Sequence, residues 1–208
     1  NLWCGPAAME SPLGRQRFHY DWHWFYDYGS GDMGNQGIHQ MDVARWYLGE
    51  DAIAPRSMSI GGRLGYDDDG ETPNTQIVYH DYDEAPIIFE TRGLPSAKKF
   101  QENDWGKNMN VPDEFPDEKG IGVVVVCEGG MVYTSAGGTV RVKDKDGKDM
   151  EAPKALESED NFTNFISAVK SRKVEDQNAD CEETHLSSAL CHTGLISHRL
   201  GQRLAKGE

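Results

Sequence analysis

Cysteine, long apolar runs and positive charge are all scarce in this sequence of 208 residues. The four cysteines, Cys4, Cys127, Cys181 and Cys191, form no CxxC pair and follow no zinc-ligand rhythm, which excludes a disulfide framework, a dithiol redox motif and a structural zinc site. The expected metal complement is none. The longest apolar run is Val123 to Cys127, far short of the roughly 20 residues that span a bilayer, and no basic-then-apolar signal opens the chain. Twenty-one basic against 35 acidic side chains leave a net charge of -14. Such a surface repels phosphate backbones and anionic lipid, so neither nucleic acid nor a membrane is expected as a partner. The chain opens at Asn1 rather than at a methionine, so the expected compartment is cytoplasmic, or periplasmic if an upstream segment carries an export signal.

Residues Asn1 to Gly31 are aromatic, irregular and rich in glycine and proline, and Asp32 to Leu48 then reads as a helix that Gly49 stops. Ser30 or Asp32 can cap its first turn. Strands follow at Arg56 to Gly62, Gln76 to Tyr82, Ile87 to Gly93, Gly122 to Glu128, Met131 to Ser135 and Thr139 to Lys143. Turn chemistry separates them at Asp69-Gly70, Gly129-Gly130 and Asp146-Gly147. The polar stretch Pro95 to Lys119 reads as a long surface loop, either a lid or an oligomer contact. Two helices, Phe162 to Arg172 and Asp180 to Leu204, end the chain with apolar residues at three- and four-residue spacing, faces that would cover one side of the sheet. Strands segregated from helices predict a single α+β domain over residues 1–208. Its sheet would be open and mostly antiparallel, with helices packed on one face.

Gly29-Ser30-Gly31-Asp32-Met33-Gly34 matches the dinucleotide pattern G-x-G-x-x-G and precedes a helix. That mechanism needs a buried apolar strand leading into the turn. Here Asp21-Trp22-His23-Trp24-Phe25-Tyr26-Asp27-Tyr28 precedes it, and Asp32 would face the pyrophosphate. Glycines that let the backbone turn tightly into a helix are the better reading.

Asn35, His39 and Asp42 stand at i, i+4 and i+7, which places them on one stripe of a helix. An imidazole held by an amide and a carboxylate in this way can take a proton from a substrate hydroxyl near neutral pH. A histidine hydrogen-bonded inside the fold, with Asp42 solvated or paired to Arg45, fits the same spacing. Just upstream, Phe18 to Tyr28 interleaves seven aromatics with His19, His23 and two aspartates. Flat aromatic faces suit the C–H faces of sugar rings, while Arg17, His19, Asp21 and His23 can hydrogen-bond hydroxyls, so Trp22 and Trp24 belong to a candidate carbohydrate pocket. Aromatics with polar tips also pack interfaces between domains and subunits. Weaker motifs resolve to structure. Asp144 to Asp149 begins like a calcium loop, lacks the later glutamate and falls where a hairpin turn is expected. His185 and His192 are too far apart on one helix to chelate together. Asn161-Phe162-Thr163 opens an amphipathic helix and matters as a glycosylation acceptor only in a secreted chain.

With these residues in view, the sequence resembles the carboxyl-terminal domain of the Gfo/Idh/MocA family (glucose-fructose oxidoreductase, inositol dehydrogenase and MocA-type proteins). The resemblance lies in Gly31 to Gly49, which follows a glycine-rich start, Asp-x-Gly-x-His, then Asp three residues on. It lies also in Leu2-Trp3-Cys4-Gly5-Pro6-Ala7, His19 to Trp24, and Gly70 to Gln76, and it is similar to a bacterial branch. It implies an oxidoreductase whose NAD or NADP sits mainly on an amino-terminal Rossmann domain, absent from this chain. It implies His39 at the active site beside a lysine from that domain's Glu-Lys-Pro motif, which does not occur here, so this chain alone is expected to be inactive. Asn35 stands where the family usually has aspartate; it can hydrogen-bond a hydroxyl but cannot accept a proton.

The expected function is hydride transfer between a sugar or polyol carbon and a nicotinamide, in a homo-oligomer joined through the sheet face. His39 would be the general base, Asn35 would orient substrate and Asp42 would orient His39. Arg17, His19, Asp21, Trp22, His23 and Trp24 would line the sugar site. Two alternatives keep the fold: an NAD-dependent glycoside hydrolase acting by transient oxidation and elimination, and a non-catalytic carbohydrate-binding or oligomerisation module.

Overall fold

The computed structural model describes residues 4–7, 18–65, 67–93, 115, 121–155 and 157–201. Arg17 and all but Phe115 of the expected loop Pro95 to Lys119 lie outside them. The order begins with a short helix α1 (Phe18–Asp21), a 3-10 turn (Trp22–Trp24) and a π-helical segment (Met33–Gly37) that continues into α2 (Ile38–Leu48). Strands β1 (Arg56–Gly62), β2 (Thr75–Asp81) and β3 (Ile87–Arg92) follow, then β4 (Gly122–Cys127), β5 (Gly130–Ser135), β6 (Val140–Asp144) and β7 (Asp149–Met150). Helix α3 (Asn161–Ser171), a 3-10 turn (Val174–Asp176) and α4 (Cys181–Leu200) complete it. Among the described residues no helix is long and apolar enough to cross a membrane.

The α+β class and antiparallel pairing match the expectation, but the strands divide into two sheets, β1-β2-β3 and β4-β5-β6-β7. The core lies between the first sheet and the helices. Met33 and Met41 meet Val78, Ile87, Leu190 and Leu195 there. Burying these side chains contributes on the order of 1.5–3 kcal/mol each. Helix α4 sits close to the sheet because residue 194 is glycine: a Cβ there would come within 2.9 Å of Val78 and 3.0 Å of Met33. Asp180 starts α4 by accepting from the backbone N–H groups of Glu182 and Glu183 at 2.8 and 2.9 Å, which satisfies donors the helix cannot.

Three expectations change in detail. The helix predicted from Asp32 begins as a π turn, and two glycines in its five residues make departure from the α register cheap. Helix α3 does not cover a sheet; its apolar face is turned outward, with Phe162 86 % exposed, and it packs on the 3-10 turn after it. Lastly, in β1 the serines point toward α4 and the apolar residues away. Ser57 bonds His80 Nδ1 at 2.9 Å and Thr193 at 3.4 Å, and Ser197 accepts from the Ser59 amide at 3.1 Å. Met58, Ile60, Ile77 and Ile88 are exposed on the opposite face. The calcium-like stretch is a hairpin turn, since the Asp144 carboxylate is spent on the amides of Asp146 and Lys148, both at 2.9 Å.

Candidate functional site

A cleft of about 640 Å³ opens between the aromatic segment, the π turn and the far half of α4. Trp22, His23, Tyr26, Asp27 and Tyr28 line it from the first, Asn35 from the second, and His192, Leu195, Ile196 and Arg199 from the third. The aromatic segment owes its shape to ring contacts. His23 is 4 % exposed, stacks at a tilt on Trp24 with centroids 4.2 Å apart, and meets Tyr20 and Trp22 edge to face. Such contacts add about 0.5–1.5 kcal/mol each beyond area burial. Its Nδ1 lies 2.6 Å from the Tyr20 carbonyl, which makes that nitrogen the N–H donor. Its Nε2 is buried without a hydrogen-bond partner among the described residues.

Of the expected sugar-site residues the fold brings Trp22 and His23 to the cleft, and of the expected catalytic residues it brings Asn35. Trp24 stands behind His23, and its indole N–H reaches Asp32 at 3.4 Å. Burial pushes the Asp32 carboxyl above the usual carboxylate range, and the Trp24 bond, His23 and Arg63 oppose that rise. His19 is exposed and Asp21 half-buried, both outside the cleft lining.

Asn35 and His39 are exposed, and neither side chain makes a hydrogen bond among the described residues. His39 lies on the first turn of α2, just past Asn35, beyond the cleft lining itself. Asp42 does not orient it. Its carboxylate accepts from the Ser187 hydroxyl and lies 3.7 Å from Arg45 Nη2. The reason is Arg45, whose guanidinium is 2 % exposed and must find acceptors. It bonds Ser187 Oγ at 3.2 Å and the Glu50 carbonyl at 2.7 Å, and it pairs with the Glu183 carboxylate. Asp42 thus belongs to a clasp that fixes α2 on α4.

Sequence reasoning missed the α4 side of the cleft. The sequence presents His192 only as a candidate metal ligand and does not single out Arg199, because only the tertiary fold carries α4 to the aromatic segment. Arg199 holds its guanidinium over the Tyr26 ring, Cζ 4.3 Å from the centroid. The Tyr26 phenol is pushed up by burial, with Arg199 opposing and Glu71 adding to the rise. The spacing of two cleft-facing residues seven apart on α4 was the available signal.

The glycine fingerprint is no pyrophosphate cradle. A Cβ at residue 29 would lie 2.5 Å from the His23 backbone, and one at residue 31, where φ is 66°, would lie 2.6 Å from Thr72. Those glycines are filled by their own chain, and no strand leads into them. Nor is any group of three or more His, Cys, Asp or Glu side chains among the described residues placed to hold a metal.

A solved Thermotoga maritima structure, assigned provisionally as an oxidoreductase, superposes with a TM-score of 0.55 at 18% identity over 80% of this chain. That likeness is one of fold, and the chain spans 44% of the length of that structure. No curated protein matches the chain. The model of an oxidoreductase family's C-terminal alpha/beta domain matches residues 1–119, which take in the aromatic segment, the π turn, α2 and the first sheet. A match over more than half of the 208 residues identifies the protein as a member of the Gfo/Idh/MocA oxidoreductase family, represented here by its C-terminal alpha/beta domain.

Proposed function

We propose that the chain is the substrate-binding half of an NAD- or NADP-dependent sugar or polyol dehydrogenase. The observation that supports this most is the cleft. It joins the aromatic faces of Trp22 and Tyr26 to the polar groups of Asn35, Asp27 and His192, the mixture a carbohydrate with apolar faces and hydroxyl edges requires. In this reading Asn35 hydrogen-bonds a substrate hydroxyl, and His39, one helical turn past Asn35 and outside the cleft lining, removes the hydroxyl proton as the carbon is oxidised. Trp22 and His23 contact the sugar, while His19, Asp21 and Trp24 shape the segment that presents them. Arg17 stays in the proposed site on the sequence argument alone. Asp42 serves by fixing α2, not by touching His39.

The hydride acceptor is the nicotinamide of a cofactor whose pyrophosphate these residues do not fit. An amino-terminal Rossmann domain would hold it, and the contribution of this chain is binding and proton removal. Met58, Ile60, Ile77, Tyr79 and Ile88 form an outward apolar sheet face, cross-paired as Met58 to Tyr79 and Ile60 to Ile77. Its exposure supports a homo-oligomer joined through that face.

The test is to assay the full-length protein with a sugar and polyol panel and either nicotinamide cofactor, following nicotinamide absorbance. Cofactor reduction by a member of the panel is expected. Glycoside cleavage without net reduction would replace this reading with the NAD-dependent hydrolase. Binding with neither reaction would replace it with a carbohydrate-binding module, the reading that Asn35 in place of the family's aspartate favours.

A further inference from the structure

The cleft carries a cation, Arg199, that no carboxylate among the described residues neutralises. Arg45, Arg56, Arg63, Arg92 and Arg141 each lie beside a carboxylate. Arg199 has no ion-pair partner among the described residues, although the chain holds 35 acidic side chains. Arg172 shares that state but sits at the exposed end of α3 and lines no cleft. Arg199 is also held in place. The contact with the Tyr26 ring holds the guanidinium by cation–π attraction, which leaves its N–H groups, able to grip a carboxylate through two parallel hydrogen bonds, for a ligand. His192 lines the same cleft from two helical turns earlier, about 10 Å along the α4 axis. The acid among the lining residues is Asp27, on the aromatic segment.

A neutral sugar would leave the guanidinium N–H groups without an anionic partner. In a chain of net charge -14 the long-range field opposes an anion, so a bound carboxylate needs a local, preorganised cation. We propose that the cleft takes an acidic sugar, a uronate or aldonate. Its carboxylate lies on Arg199, its ring lies against the aromatic segment, and its hydroxyls reach Asn35 and Asp27. This rests on reading the cleft as the substrate site and narrows the substrate to a class. Arg199 is then a specificity-determining residue and takes no part in proton transfer.

The experiment is equilibrium binding of D-glucuronate, D-gluconate, D-glucose and glucose 6-phosphate to the full-length protein, before and after Arg199→Gln. The expected result is an acid sugar held at least tenfold more tightly than glucose, with that preference lost in R199Q. Equal affinity of the unaltered protein for glucose and both acids overturns the proposal, whether or not R199Q folds. So does binding of glucose 6-phosphate alone, which would make the anion a phosphate. Weakened NAD or NADP binding in R199Q with the sugar preference intact would assign the guanidinium to the cofactor and equally overturn it. Because binding is read without turnover, acid preference in a protein that reduces no nicotinamide would sink the dehydrogenase reading and leave this one standing.

Discussion

The two ends of the helical stretch that carries the family motif are built for opposite purposes. At the carboxyl end, Asp42 and Arg45 are locked to α4 through Ser187 and Glu183, Arg45 also bonds the Glu50 carbonyl just past the helix, and Gly49 closes the helix at φ 69°. At the amino end, a π turn with two glycines presents Asn35 and His39 to solvent with no side-chain hydrogen bond among the described residues. In the proposed function the motif therefore holds two roles a few residues apart. One end fixes the helix, and the other offers polar groups that a ligand can satisfy. A π turn is an uncommon way to begin a helix, and such turns are frequent at functional sites.

The largest expected effect falls on the locked end. Arg45→Met removes a buried guanidinium and strands Ser187, the Glu50 carbonyl and the Asp42 and Glu183 carboxylates. Because Glu183 is 45% exposed and can rehydrate, the loss should be about 3 kcal/mol, at the low end for a broken buried pair. Denaturant unfolding of the full-length protein measures it. Sugar affinity of the folded fraction should hold, and a variant that kept full stability but lost sugar binding would erase the distinction between the two ends.

A smaller, pH-dependent effect comes from the polar layer beneath α4. His80 is fully buried, and burial pushes its imidazole down to about 4 from an ordinary 6.5. The unfolded chain thus binds the proton more tightly than the folded one. The stabilisation is present in full above pH 6.5 and is lost as the pH falls from there toward 4, a linkage worth about 2–3 kcal/mol between pH 7 and pH 4.5. His80→Gln should flatten that part of the stability profile. An unchanged acid slope in this variant would show that other groups carry it.

How much of this could be read in advance differed by region. β1 was legible to the residue because Gly62 and the alternation before it mark a strand, and the Asp146-Gly147 hairpin was legible from its turn chemistry. The facing of β1 was not, since serines that look like a solvent face meet His80 and α4 instead, a choice visible only once the layer above is placed. The same limit hid the cleft. Trp22, His23 and Asn35 stood out as a local cluster, whereas Arg199 and His192 reach them only through the packing of α4 on the sheet. Asp42 misled because helical spacing puts it equally near His39 and Arg45, and a buried guanidinium is the more demanding partner.

The smallest stability effect belongs to the exposed end, and there the account is tested most directly: turnover and unfolding free energy measured side by side for His39→Ala in the full-length protein. Turnover should fall by about 10²-fold or more while stability stays within about 0.5 kcal/mol of the parent, as for an exposed side chain without partners. Unchanged turnover, or a fall in turnover matched by a fall in stability, would contradict the assignment of this end of the helix to chemistry.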